Sequence, residues 1–198
     1  DELSINGSRG GIAATPTTFI VGTDGDTLGD LTAHMQSSLG INTDPATGGT
    51  PGITISSGPI PAAGSIVVTS NVGEVNAVSL DAASIVNRTG IIPSPFSFTT
   101  LTPAVGEGVT TSFGVYDSLG NLVDVRLRAA LESKSDAGTV WRFFAESAGD
   151  RDLSPVLGTG TITFDANGQF VGATGTDLTI DRAGERSAPP LTFTLDFS

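Results

Sequence analysis

The chain has 198 residues, 38% of them hydrophobic, and a formal net charge of −12. An acidic surface of this kind repels phosphate backbones and anionic lipids, so nucleic acid and membranes are disfavoured as partners. The chain has no cysteine, which excludes disulfides and thiolate metal sites. No apolar run approaches the roughly 20 residues that span a bilayer. Abundant Gly, Ser and Thr, with few strong helix formers, predict a mainly β fold.

One helix is predicted near the start of the chain. Thr27 is a capping hydroxyl with an acid, Asp30, three positions further on, which is a variant of the capping box. Apolar side chains then recur at spacings of three or four residues: Leu28, Leu31, Met35 and Leu39. Gly40 supplies a left-handed stop after them. The pattern predicts an amphipathic helix over about 27–39.

Short strands are predicted on both sides of this helix. A β-branched run at 18–21 precedes it, and runs at 52–56 and 65–69 follow it. A strand, a helix and two strands predict a small α+β module at 1–92, whose one short helix covers a sheet face. Three prolines then predict a stiff junction at 93–103.

The remainder of the chain, 104–198, is predicted to consist of strands and turns. The predicted strands lie at 109–116, 122–131, 139–144, 160–164, 169–171, 178–180 and 191–197. The segment from Asp117 to Asn121 is a predicted turn, and Asp165 to Gly168 is predicted to join two strands as a hairpin. Turn signals at these intervals predict an antiparallel β-sandwich or barrel.

Candidate reactive groups are few. His34 is the single histidine, and it lies in the predicted helix without a cysteine nucleophile or a nucleophile elbow, which favours a partly exposed helical side chain. Asp24, Asp26 and Asp30 lack the third ligand, the central glycine and the distal glutamate of an EF-hand loop. We therefore interpret Asp30 as a helix cap and Asp24 as a turn former.

Two other patterns also receive structural interpretations. Asp150 and Asp152 flank Arg151, but glycoside hydrolysis needs aromatic sugar platforms, and aromatics are 6% of the chain. These two carboxylates are therefore interpreted as a solvated turn. A Gly-Thr-Gly run at 158–160 precedes a strand, whereas a dinucleotide loop needs a helix N-terminus. The sequence predicts no catalytic residue, no cofactor and no metal.

Two turn motifs and a tryptophan distinguish the second half. They are the segment 115–121, Trp141, a strand ending in 163–168, and the final segment 191–198. In this order and spacing they resemble the β domain shared by flagellar hook proteins and their axial relatives. The resemblance rests on Tyr116, Asp117, Gly120, Asn121, Trp141, Phe164, Asp165 and Gly168. These residues are expected to form turns and fill cores. The first half resembles, through 24–41, the small inserted modules of flagellar axial proteins.

The resemblance implies an extracellular structural protein of the bacterial flagellum rather than an enzyme. Such a protein is exported unfolded and polymerises with other copies into a helical tube, the curved hook that transmits torque from rod to filament. In this family the coiled-coil termini form the inner tube. The chain shows no long heptad run and begins and ends abruptly, so we interpret it as an outer-domain fragment, monomeric on its own.

Three alternatives stay open at this point. The first is another axial protein, such as a distal-rod or hook–filament junction protein, which the termini of the full-length sequence would distinguish. The second is a secreted carbohydrate-binding or adhesive β-sandwich, which predicts an exposed aromatic patch. The third is a small hydrolase, which the single histidine and the absence of cysteine disfavour.

Overall fold

The computed structural model describes residues 1–44, 50–89, 95–182 and 190–197. The chain divides into two compact units. Unit 1 comprises Asp1–Asn71 and Asn76–Ala104, and unit 2 comprises Val72–Val75 and Val105–Ser198. Of the predicted junction at 93–103, residues 93 and 94 lie outside the described residues. No helix in the described ranges is long and apolar enough to cross a membrane.

Unit 1 consists of short strands and one helix. Its elements are β1 (Glu2–Ile5), β2 (Ser8–Arg9), β3 (Ile12–Ala13), β4 (Thr17–Ile20), α1 (Leu28–Ser38), β5 (Gly52–Ile55), β6 (Ile66–Thr69), β7 (Val78–Ser79) and β8 (Ile85–Asn87). They form two three-stranded sheets, in the orders β4-β1-β8 and β3-β2-β7, and the hairpin β5-β6. All of these pairings are antiparallel.

The helix of unit 1 has the predicted capping box. The Thr27 hydroxyl accepts from the backbone N–H of Asp30 at 3.1 Å, and the Asp30 carboxylate accepts from the backbone N–H of Thr27 at 3.0 Å. The helix confirms the prediction over about 27–39. One predicted core position differs, because Leu28 lies in the first turn and is 38% exposed.

The core of unit 1 lies between the helix and strands of different sheets. The buried apolar side chains are Ile5, Phe19, Leu31, Met35, Leu39, Ile41, Ile53 and Ile85. The buried guanidinium of Arg9 donates to the carbonyl oxygen of Gly40, just past the helix, and to the side-chain oxygen of Asn76, both at 2.7 Å. A cation at a helix C-terminus meets the negative end of the helix dipole, so Arg9 stabilises the end of α1.

Unit 2 is a curved antiparallel sheet with a hairpin packed on one face. Its strands are β9 (Gly108–Tyr116), β10 (Leu122–Ser135), β11 (Gly138–Glu146), β12 (Val156–Asp165), β13 (Phe170–Ala173), β14 (Asp177–Ile180) and β15 (Leu191–Thr194). The large sheet has the order β13-β12-β11-β10-β9, and β14 pairs with β15. The predicted mainly β fold with one short helix is confirmed.

The inner face of the large sheet and the β14–β15 hairpin enclose the core of unit 2. Side chains from β10, β11, β12 and β14 form its centre: Leu127, Ala129, Phe143, Ala145, Ile162 and Leu178. Burying such a set of side chains stabilises the fold at about 25 cal/mol per Å² of apolar surface. This core holds β11 at the middle of the sheet.

Five strands of unit 1 were not expected from the sequence, namely β1, β2, β3, β7 and β8. Four of them have two or three residues, which is too short to show an alternating pattern, and β1 has four. They form because partners distant in sequence meet, as β1 does with both β4 and β8.

Candidate functional site

The predicted turn after β9 is held by one carboxylate. Asp117 accepts from the backbone N–H groups of Leu119 and Asn121 at 2.9 and 2.8 Å, and from the side-chain amide of Asn121 at 3.0 Å. The backbone N–H of Gly120 donates to the carbonyl oxygen of Asp117 at 3.0 Å. Gly120 has a φ of 81°, a left-handed conformation that favours glycine. The turn is therefore rigid and internally satisfied.

The turn between β12 and β13 repeats the same arrangement. Asp165 accepts from the backbone N–H groups of Asn167 and Gln169 at 2.8 and 2.9 Å. The N–H of Gly168 donates to the carbonyl oxygen of Asp165 at 3.0 Å, and Gly168 has a φ of 76°. Both family-like motifs thus encode one turn, an aspartate followed three positions later by glycine.

Hydrogen bonding shifts the acidity of both turn aspartates. The side-chain amide of Asn121 lowers the pKa of Asp117, and the N–H groups of Asn121 and Leu119 and the Arg182 guanidinium lower it further. The N–H groups of Gln169 and Asn167 lower the pKa of Asp165. Both carboxylates are thus held ionised as hydrogen-bond acceptors, which a general acid could not be near neutral pH.

The aromatic residues of the resemblance occupy two environments. Trp141 and Phe164 are half-buried and pack against the core of unit 2. The Phe164 ring also meets Phe170 edge to face, with 6.3 Å between ring centroids. Tyr116, in contrast, is 67% exposed at the end of β9. Its ring contributes surface rather than core volume.

Two ion pairs lie on the outer face of the large sheet. The Arg128 guanidinium donates to the Glu146 carboxylate at 2.9 Å, and both side chains are buried. Arg128 also donates to the carbonyl oxygen of Val75 at 2.9 Å, so the segment Val72–Val75 covers this face. Arg142 pairs with Glu132 at 2.9 Å. The Arg128 site could not be predicted from the sequence, because its partners are 18 and 53 positions away in the chain.

The other candidate groups in unit 1 serve local structure. The carboxylate of Asp24 accepts from the backbone N–H of Ile20 at 2.7 Å, and that of Asp30 caps the helix. His34 is half-buried, stands edge to face with Phe19, and lies 3.3 Å from the Thr17 hydroxyl. Burial lowers the pKa of His34. Across the described ranges no group of three or more histidine, aspartate or glutamate side chains is placed to hold a metal ion.

The pair predicted as a solvated turn is divided between two environments. Asp152 is exposed, whereas Asp150 is half-buried and accepts from the backbone N–H of Asp181 at 2.6 Å. Burial raises the pKa of Asp150, and the charges of Asp152 and Asp181 raise it further. The run at 158–160 was predicted to precede a strand, but it lies within β12, which begins at Val156.

The raised pKa of Asp150 predicts a pH dependence of stability. The folded chain binds this proton more tightly than the unfolded chain, so ionisation of Asp150 lowers stability as the pH rises above about 4. Asp150→Asn keeps an acceptor for Asp181 and removes the charge. We expect the variant to gain stability over the unmodified chain between pH 4 and 7, with the two equal at lower pH.

Urea denaturation followed by tryptophan fluorescence at several pH values measures this difference. The single tryptophan, Trp141, lies in unit 2 and reports on it. Asp136→Asn is the control, because Asp136 is exposed in the β10–β11 turn. A stability difference for Asp150→Asn that does not change with pH would contradict the assignment.

In the described part of the chain, the buried charged side chains hold turns, ion pairs and the end of the helix. The family model described as the flagellar basal body protein FlaE D2 domain matches residues 79–198, which is more than half of the chain. The chain belongs to this family of flagellar hook proteins. Neither the curated proteins nor the solved structures gave a match.

Family membership establishes the general role of the chain. It is a structural protein of the bacterial flagellar hook and acts in motility, within a family that is not enzymatic. Hook proteins polymerise with other hook subunits into a helical tube. Membership of the family implies a location in the hook and basal body of the flagellum.

Proposed function

We propose that this chain forms part of the outer surface of the hook, the curved tube that acts as a universal joint between rod and filament outside the cell. The observation that carries the proposal is the match of the FlaE D2 family model. Two turns of the same construction, closed by Asp117 and Asp165, support it further. They give unit 2 a fixed shape without any reactive arrangement.

The surface of the chain suits contacts that change during rotation. A tube that bends as it turns requires neighbouring subunits to change their spacing in every revolution. Large apolar anchors cost several kcal/mol to separate, so such contacts must be small or polar. The net charge of −12 and the exposed turns rich in Gly, Ser, Thr and Asp limit adhesion between copies.

The residues of the resemblance are proposed to have folding roles. Asp117, Gly120 and Asn121 form one turn, and Asp165 and Gly168 form the other. The rings of Trp141 and Phe164 contribute to the core. We also propose that 93–103 is a junction between modules at 1–92 and 104–198, and that the chain on its own is a monomer of 20.0 kDa.

The carbohydrate-binding alternative receives no support from the exposed aromatics. Within the described part of the chain the exposed aromatic side chains are Tyr116 and Phe170. They lie on β9 and β13, which are opposite edges of the same sheet. The alternative predicts an exposed aromatic patch, and two rings at opposite edges of a sheet do not form one.

Labelling of isolated hooks tests the proposed placement. An antibody raised against this chain is expected to decorate intact hooks along their whole length, as seen by electron microscopy. Decoration confined to the junction with the filament, or to the rod, would favour one of the other axial proteins. Hooks that bind no antibody until they are dissociated would contradict placement on the outer surface.

A further inference from the structure

The end of the β9–β10 hairpin carries three exposed apolar side chains. Tyr116, Leu119 and Leu122 are 67%, 62% and 57% exposed, and we call these three side chains the hairpin tip. Tyr116 and Leu122 are paired across the two strands, and Leu119 lies in the turn between them. Exposed apolar residues scattered singly are normal, whereas apolar side chains gathered at one end of a hairpin are the kind of surface that a partner covers.

The hairpin tip has a fixed shape before it meets a partner. Asp117 ties the turn together through three hydrogen bonds, and Arg182 lies 3.4 Å from its carboxylate. The Leu122 side chain lies over Gly114, in space that a Cβ at that position would overlap. A rigid contact loses little conformational entropy on binding, so even a small one contributes to association.

The hairpin tip lies in a stretch of the chain that carries little charge. Asp117 is the only charged residue between positions 108 and 123, and it is buried against Arg182. Copies of a chain with net charge −12 repel each other over most of their surface. An uncharged apolar tip is where two such copies can approach at least cost.

We propose that the hairpin tip is a contact by which this chain binds a neighbouring copy of the hook subunit. The inference rests on the proposed function and adds the surface through which the contact is made. The tube has a rod end and a filament end, so neighbours are related head to tail, and the contact joins two different surfaces. Because the contact involves only three side chains, the remaining surface of each subunit stays free to slide against its neighbours.

Thiol labelling of assembled hooks tests this contact. The chain has no cysteine, so Leu119→Cys and Val171→Cys each introduce one thiol into it. Val171 is the matched control, because it is 64% exposed and lies on β13, the opposite edge of the sheet. Assembly is expected to slow maleimide labelling of Leu119→Cys by about tenfold. This is the rate expected if the contact opens and exposes the thiol for about a tenth of the time. Labelling of Val171→Cys stays within about twofold.

The head-to-tail geometry adds a second expected result. Two thiols introduced at position 119 should not meet in the tube, so mild oxidation of Leu119→Cys hooks yields no disulfide between subunits. Formation of that disulfide would overturn the head-to-tail contact. Equal labelling rates for Leu119→Cys in hooks and in free subunits would overturn the contact altogether.

Nitration of Tyr116 provides a test that needs no substitution. Tyr116 is the single tyrosine of the chain, and peptide mass mapping identifies its modification in unmodified hooks. It is expected to be protected by assembly, and nitration at the rate of the free subunit would contradict the proposal. Protection of Tyr116 only in hooks that carry a filament would show that a junction protein, and not a neighbouring hook subunit, covers the hairpin tip. Hooks that do not contain the chain would refute the proposed function, and this contact with it.

Discussion

Replacing Arg128 with alanine is expected to lower the free energy of unfolding of unit 2 by about 3–5 kcal/mol. The substitution removes the guanidinium from the buried Glu146 carboxylate, 2.9 Å away, and from the carbonyl oxygen of Val75. A buried carboxylate that loses its cation keeps its desolvation cost, and this cost dominates the effect. Urea denaturation followed by Trp141 fluorescence measures the change in unit 2.

Two further variants separate burial of charge from loss of packing. Arg126→Ala is the matched control, because Arg126 lies on the same strand and face and is less buried. Arg126→Ala is expected to lower the free energy of unfolding by less than about 1 kcal/mol. The double variant Arg128→Met with Glu146→Gln removes both charges, so it is expected to be more stable than Arg128→Ala. An equal loss of stability in Arg126→Ala and Arg128→Ala would show that the buried ion pair of Arg128 does not dominate the effect of the substitution.

The features predicted from the sequence are those whose physics is local. The capping box at Thr27 and Asp30 spans three positions, and the turn at Asp117 closes within four. All donors and acceptors of such a motif are close in the chain, so residue type and spacing nearly determine the structure. The β strands of unit 2 were predicted for a similar reason, since alternation along one strand shows its two faces.

Alternation does not reveal which faces are covered. Arg126 and Arg128 share one face of β10, yet Arg128 is buried and Arg126 is partly exposed. The difference arises because the segment Val72–Val75 reaches Arg128, and this segment precedes it by about 50 positions. Leu28 shows the converse, since its helical spacing predicted burial but its position in the first turn leaves it exposed. Burial at such positions depends on contacts that one sequence does not record.

Gly160→Ala is expected to lower the free energy of unfolding of unit 2 by about 3 kcal/mol. Gly160 lies in β12, where a Cβ would overlap the carbonyl oxygen of Thr174 and lie 2.7 Å from the Phe143 ring. The backbone N–H of Thr174 also donates to the carbonyl oxygen of Thr161 at 2.9 Å, which holds the two segments together. Neither the backbone nor a fully buried ring can move aside cheaply, so the sheet must distort.

The control for this prediction is Gly172→Ala on the neighbouring strand. No atom lies within 4 Å of a Cβ at Gly172, and its backbone is not left-handed. Alanine there restricts the unfolded chain without a clash, so stability is expected to stay equal or to rise by up to about 1 kcal/mol. Urea denaturation of both variants, followed by Trp141 fluorescence, gives the comparison. If Gly160→Ala proved as stable as Gly172→Ala, β12 could not approach Thr174 as closely as described. The core around Phe143 would then have space for an added methyl group.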